Sequence, residues 1–228
     1  MFLTDEKYGC PQECILRETK EETGLTLTSY RLRGVLTFVY NDDDDEMEYI
    51  FLYTADDFTG ELADCNEGTL EWVPKEQIDS LNLWEGDRIF HYLLDADAPF
   101  FSLKLCYRDD LLKEAVLDGK PMELLDLLDE NGEPSGQVRE RTLVHLHGDW
   151  HRTSHVWVVR KREDGGHDLL LQKRSSEKDS FAGCYDISSA GHIPAGQDYL
   201  KSALRELREE LGIMAEPDDL RFVGVHDG

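Results

Sequence analysis

Apolar and polar positions divide the chain into two successions of elements. Residues 9–24 carry the helical period, with Pro11 suited to a first turn and Gly24 to a stop. Alternation takes over in RGVLTFVY (33–40) and EYIFLYT (48–54), two strands joined through the polar stretch NDDDDE. That aspartate run lacks the glycine and spaced ligands of a calcium loop and reads as a charged connection. Residues 69–73 suggest a short strand, Pro74 opens a helical stretch that continues through 84–94, and 103–107 with 111–116 read as a hairpin. The sequence LDGKP (117–121) is the expected junction, because Asp-Gly turns the chain and Pro121 blocks a helix.

The second succession opens with ELLDLL (123–128) and the turn signal Asp129-Glu130-Asn131-Gly132. Strands are expected over 155–160 and 168–173. A helix follows from the N-cap Asp198 to Leu211, with Gly212 as its stop and a short strand at 220–225 beyond it. Leu200, Ala203, Leu204, Leu207 and Leu211 form the apolar stripe of that helix.

At 228 residues the chain has room for one large domain or two smaller ones. Apolar residues at 40% suit a globular core. The formal net charge of −25 repels phosphate backbones, which argues against a nucleic-acid polymer or an anionic membrane as partner. A small anionic substrate would need metal ions to bring positive charge. Five scattered cysteines without a CxxC pair fit a reducing compartment. With no long apolar run and no basic-then-apolar leader, a cytoplasmic protein is expected.

The chemistry concentrates on the 198–211 helix. Glu206, Glu209 and Glu210 stand at i, i+3 and i+4, where like charges crowd and repel unless a cation neutralises them. The alternative is an exposed acidic face on a helix rich in good helix formers. RETKEETGL (17–25) repeats the spacing with Glu18, Glu21 and Glu22.

These residues resemble the box of the Nudix hydrolases, G-x5-E-x7-R-E-U-x-E-E-x-G-U, where U is bulky and apolar. Gly191, Arg205, Glu206, Leu207, Glu209, Glu210, Gly212 and Ile213 match it, and Gln197 departs from the first glutamate. Around Arg17 only the helical part survives: Thr19 occupies the bulky apolar position, Gly9 stands where the first glutamate belongs, and no opening glycine precedes it. The resemblance implies an α/β fold, the Nudix-type α/β/α sandwich, present as two incomplete copies in tandem. Residues 1–116 would be the C-terminal part of a MutT-like domain and 121–228 the N-terminal part of a hydrolase domain similar to the isopentenyl-diphosphate isomerase branch. It implies Mg2+ or Mn2+ held by Glu206, Glu209 and Glu210, with Arg205 supporting them and a glutamate as base. The expected substrate is a small-molecule diphosphate, such as a nucleoside diphosphate derivative. Arg17, Glu18, Glu21, Glu22 and the late acidic residue Glu71 are the corresponding candidates of the first copy.

The isomerase branch places a cysteine just before the Gly-His of its box. Here that position is Ala190, so hydrolysis is favoured over isomerisation. His145, His151 and His192 resemble that branch's three metal-binding histidines, and of its two glutamates Glu210 is the one placed here. A non-catalytic binding module is the reading from another class, supported by Gln197 and the incomplete first box. Each half also lacks strands that a Nudix fold needs. Either the chain is a piece of a longer tandem protein, or strands from 123–189 complete the sheet begun at 32–73. Unfinished edges of this kind also favour homo-oligomers.

Overall fold

A computed structural model of the chain describes residues 9–41, 43–63, 65, 68–177 and 181–226. The chain forms two compact units, Met1–Met122 and Glu123–Gly228. Both are mixed α/β.

The first unit begins with α1 (Pro11–Thr23), whose C-cap Gly24 takes the left-handed conformation at φ 78°. Then come β1 (Thr26–Tyr40) and β2 (Asp43–Thr59), a 3-10 turn (Lys75–Ser80), α2 (Glu85–Asp95), β3 (Phe101–Arg108), β4 (Leu111–Leu117) and β5 (Lys120–Pro121). The sheet runs β2-β1-β3-β4-β5, with β1 and β3 parallel. A parallel pair needs a crossover, and α2 supplies its helix. The parallel register sets Leu36 beside Leu103 and Phe38 beside Leu105, and these four side chains are buried. Gly86 of α2 approaches this face so closely that a β-carbon there would lie 2.6 Å from the Leu105 side chain. Its N–H donates to the Tyr107 hydroxyl at 2.8 Å.

Several expectations change in the first unit. The polar connection shortens, because β2 starts at Asp43 opposite Tyr40; Asp42 lies outside the described residues. Residues 69–73 form no strand; Trp72 instead stacks on Phe58 with ring centroids 5.5 Å apart. The helical stretch from Pro74 breaks at residues 81–84, where Leu81 turns extended and Trp84 sets its ring edge-on to Tyr107 at 5.1 Å. Asp118-Gly119 turns the chain as expected, between β4 and β5, and the division between the units falls just beyond it, after Met122.

The second unit opens with the hairpin β6 (Leu124–Leu128) and β7 (Pro134–Glu140), followed by α3 (Arg141–His147). Short strands succeed it: β8 (Thr153–Val156), β9 (Val159–Lys161), β10 (His167–Leu169), β11 (Gln172–Lys173), β12 (Tyr185–Asp186) and β13 (Ser189–His192). α4 (Tyr199–Leu211) comes next, then a 3-10 turn (Pro217–Asp219). Val156, Ala203 and Leu207 form the core that seats α4, joined by Val158, Leu211 and Ile213. Leu125, Leu127 and Val144 form another cluster under α3.

The strand expected over 155–160 splits into β8 and β9, because the Val158 N–H is taken by the Ser188 hydroxyl at 2.7 Å. That hydroxyl donates in turn to the Leu170 carbonyl, at the break between β10 and β11 that splits the strand expected over 168–173. Residues 220–225 form no strand, and Val223 and Val225 are exposed. Among the described residues, the five-stranded sheet takes all its strands from the first unit. The ladders of the second unit likewise pair its own strands, and among the described residues none from 123–189 extends the first sheet. No helix among the described residues is long and apolar enough to cross a membrane.

Candidate metal and catalytic site

The second unit gathers its chemistry around α4. Asp198 caps the helix by accepting from the Leu200 N–H at 2.6 Å and the Lys201 N–H at 3.4 Å. Gly212 ends it in the left-handed conformation at φ 67°. The preceding loop is held from three sides. The Ala195 N–H donates to the Leu124 carbonyl at 2.8 Å. Asp126 accepts from the Gly196 N–H at 2.9 Å and from Arg152 at 2.6 Å. Arg152 also reaches the Gln197 carbonyl at 3.4 Å. Gln197 itself is exposed.

Strand β13 crosses α4 and touches it along its length. The hydroxyl of Ser189, only 1% exposed, donates to Glu210 Oε2 at 2.8 Å. A β-carbon on Gly191 would overlap the Glu206 carboxyl and stand 2.7 Å from its Cγ, so glycine is what lets that carboxylate lie against the strand. The His192 carbonyl accepts from Arg205 at 3.5 Å.

On the helix, Arg205 reaches Glu206 at 2.6 Å and Glu209 at 3.1 Å. Burial pushes the Glu206 carboxyl above its ordinary range; Arg205 opposes the shift, and Glu210 and Glu209 add to it. Arg205 thus serves Glu206 and Glu209, the exposed Arg208 lies 3.7 Å from Glu209, and neither guanidinium contact is to Glu210. The remaining excess of negative oxygen donors fits a hard divalent cation such as Mg2+ or Mn2+.

The structure brings His145 of α3, His151 of the following loop and His192 of β13 together, with ligating atoms within 4.8 Å of one another. The Nε2 atoms of His145 and His192 are 3.2 Å apart. His151 Nδ1 lies 3.0 Å from the Asp149 carbonyl, and His192 Nδ1 lies 3.7 Å from Glu123. Burial, together with Arg141 and the neighbouring rings, lowers the His192 pKa to about 4; burial and His151 lower that of His145. Neutral imidazoles at this spacing suit a metal: two nitrogens on a tetrahedral zinc stand about 3.3 Å apart.

In α1, Arg17 reaches Glu18 at 2.6 Å and Glu21 at 2.7 Å, and the Cys14 thiol lies 3.6 Å from Glu18. Glu22 follows on the same helix. Glu71 lies on an exposed irregular segment, within the 69–73 stretch expected to form a strand. Sequence reasoning missed Ser189, Asp126, Arg152 and Glu123. A single acid inside the apolar LLDLL (124–128) was the available signal for Asp126; for Ser189 there was none.

The NUDIX domain model matches residues 6–94 and 151–228. The chain is 49% identical over 103 residues to Nudix hydrolase 3 of Arabidopsis thaliana, covering 45% of this chain and 13% of that protein. Over another 103-residue match it is 45% identical to an uncharacterised Nudix hydrolase of Clostridium acetobutylicum, covering 45% of this chain and 48% of the relative. An isopentenyl-diphosphate Delta-isomerase of Pectobacterium atrosepticum is 34% identical over 93 residues, 41% of this chain and 49% of that enzyme. The chain thus spans about half of the Clostridium and Pectobacterium proteins and a small part of the Arabidopsis one. With both box helices inside the matched segments, the chain belongs to the Nudix family.

Proposed function

We propose that the second unit hydrolyses the phosphoanhydride of a small-molecule diphosphate, such as a nucleoside diphosphate derivative, with Mg2+ or Mn2+ held by Glu206, Glu209 and Glu210. The observation that carries this is the gathering of three carboxylates on α4, two of them paired with Arg205, one lying against Gly191 and one held by Ser189. The bound cation would offset the negative charge of the phosphate oxygens and lower the pKa of a coordinated water. Arg205 keeps Glu206 and Glu209 in register along the helix. Glu209, exposed on its turn, or Glu210, bonded to Ser189, would take a proton from the attacking water. His145, His151 and His192 would hold a second cation of the zinc or manganese kind, which Co2+ titration followed by visible absorption tests. We infer that the first copy (Arg17, Glu18, Glu21, Glu22, with Glu71) plays no part in turnover.

Phosphate or pyrophosphate release from a panel of diphosphates, with Mg2+ and with chelator, is the test. The expected result is turnover with Mg2+ that is lost with chelator and lost in a Glu209→Gln, Glu210→Gln variant. Turnover surviving in that variant removes the site. Binding without turnover would point to a binding module. Isomerisation has the histidine cluster in its favour, yet Ala190 offers no thiol to move a proton.

A further inference from the structure

We propose that Ser189 is a positioning residue for Glu210, holding that carboxylate toward the cation site. The inference rests on the metal-binding reading of Glu210 given above. Glu210 is exposed, and a free glutamate side chain there would sample several rotamers. The Ser189 hydroxyl removes that freedom: it is buried on the rigid strand β13 and donates to Oε2 at 2.8 Å. One carboxylate oxygen is thereby occupied, and Oε1 is left for a cation. Arg205 cannot do this work for Glu210, because its contacts go to Glu206, Glu209 and the His192 carbonyl. The three carboxylates thus have different supports: Glu206 has Arg205 and the Gly191 floor, Glu209 has Arg205 and Arg208, and Glu210 has Ser189.

The test is Mn2+ binding to the 228-residue chain, followed by electron paramagnetic resonance, in a His151→Ala background that disables the histidine cluster as a competing site. Ser189→Ala should weaken Mn2+ binding about 10- to 100-fold, the range usual for lost outer-sphere partners of metal ligands. Ser189→Thr keeps the hydroxyl and should recover most of the affinity. In a Glu210→Gln protein, Ser189→Ala should add no further loss. Mn2+ affinity unchanged by Ser189→Ala but reduced by Glu210→Gln would overturn the role of Ser189 and leave the metal reading standing. Affinity unchanged by Glu210→Gln would overturn both. Should the alanine variant not fold, Ser189→Cys, a weaker donor of similar shape, carries the same comparison, and affinity equal to wild type there would count against the proposal.

Discussion

Replacing Gly191 with alanine adds one methyl group where β13 crosses α4. Gly191 lies outside the left-handed region, so alanine meets no backbone penalty. The penalty is steric. The new carbon would overlap the Glu206 carboxyl and sit 2.7 Å from its Cγ, about 1 Å inside ordinary carbon–carbon contact. Glu206 is the side chain that gives way, and in swinging aside it leaves Arg205, which it meets at 2.6 Å. Overpacking costs about 1–3 kcal/mol, and a movable carboxylate puts this case near 1–2 kcal/mol. Urea unfolding with chelator measures that loss, and Mn2+ affinity should fall about tenfold as one carboxylate leaves the group. A double-mutant cycle isolates the cause. In a Glu206→Ala background the methyl group has room, so the cost of Gly191→Ala should drop to within about 0.5 kcal/mol of zero. An equal cost in both backgrounds would refute the steric account. Gly212→Ala is the contrast: φ is 67° with open space around it, so it should cost about 1 kcal/mol whether or not Glu206 is present.

Glu206 also predicts a pH dependence. Its folded pKa lies above the ordinary 4.5, so the folded chain holds the proton to higher pH than the unfolded chain does. Its ionisation therefore subtracts stability as pH rises from that value through the folded pKa, and has no such effect below it. With chelator, Glu206→Gln should be more stable than wild type at about pH 8 and equal to it at about pH 4; a difference that does not change with pH refutes this. Asp126→Ala should cost about 2 kcal/mol by removing an acceptor from Arg152 and Gly196, and hydrogen exchange at the Gly196 amide should speed up. Tyr107→Phe keeps the ring but leaves the buried Gly86 N–H unpaired, and should lower the stability of the first unit by about 1–2 kcal/mol in thermal unfolding.

Both box helices were legible because their signals are local. Pro11 and Gly24 frame α1 and Asp198 and Gly212 frame α4, each acting on the backbone of its own helix. The contacts of Arg205 are equally local, at i+1 and i+4. What escaped reading depends on chain segments that meet only in the fold. Ser188 breaks two expected strands from a distance of 30 and 18 residues. The 69–73 and 220–225 segments have strand-forming residues but no ladder among the described residues, and an extended segment without a partner is not a strand. The histidine cluster draws one ring each from a helix, a loop and a strand, so no spacing rule selects those three from the five nearby. Resemblance named them; geometry supplies the reason.

The two helices carry the same internal pattern, an arginine joined to the acids one and four positions on, with distances of 2.6–2.7 Å in α1 and 2.6–3.1 Å in α4. That pattern follows from helix geometry alone and would form on any exposed acidic helix. It cannot by itself distinguish a cation site from a solvated face. The difference lies across from the helix. β13 presents to α4 a glycine that makes room for Glu206 and a buried serine that fixes Glu210, while the contacts of Glu18 with Arg17 and Cys14 lie within its own helix. A strand that shapes the carboxylates from outside is the feature that local helix formation does not produce. On that ground the proposed chemistry belongs to the second copy.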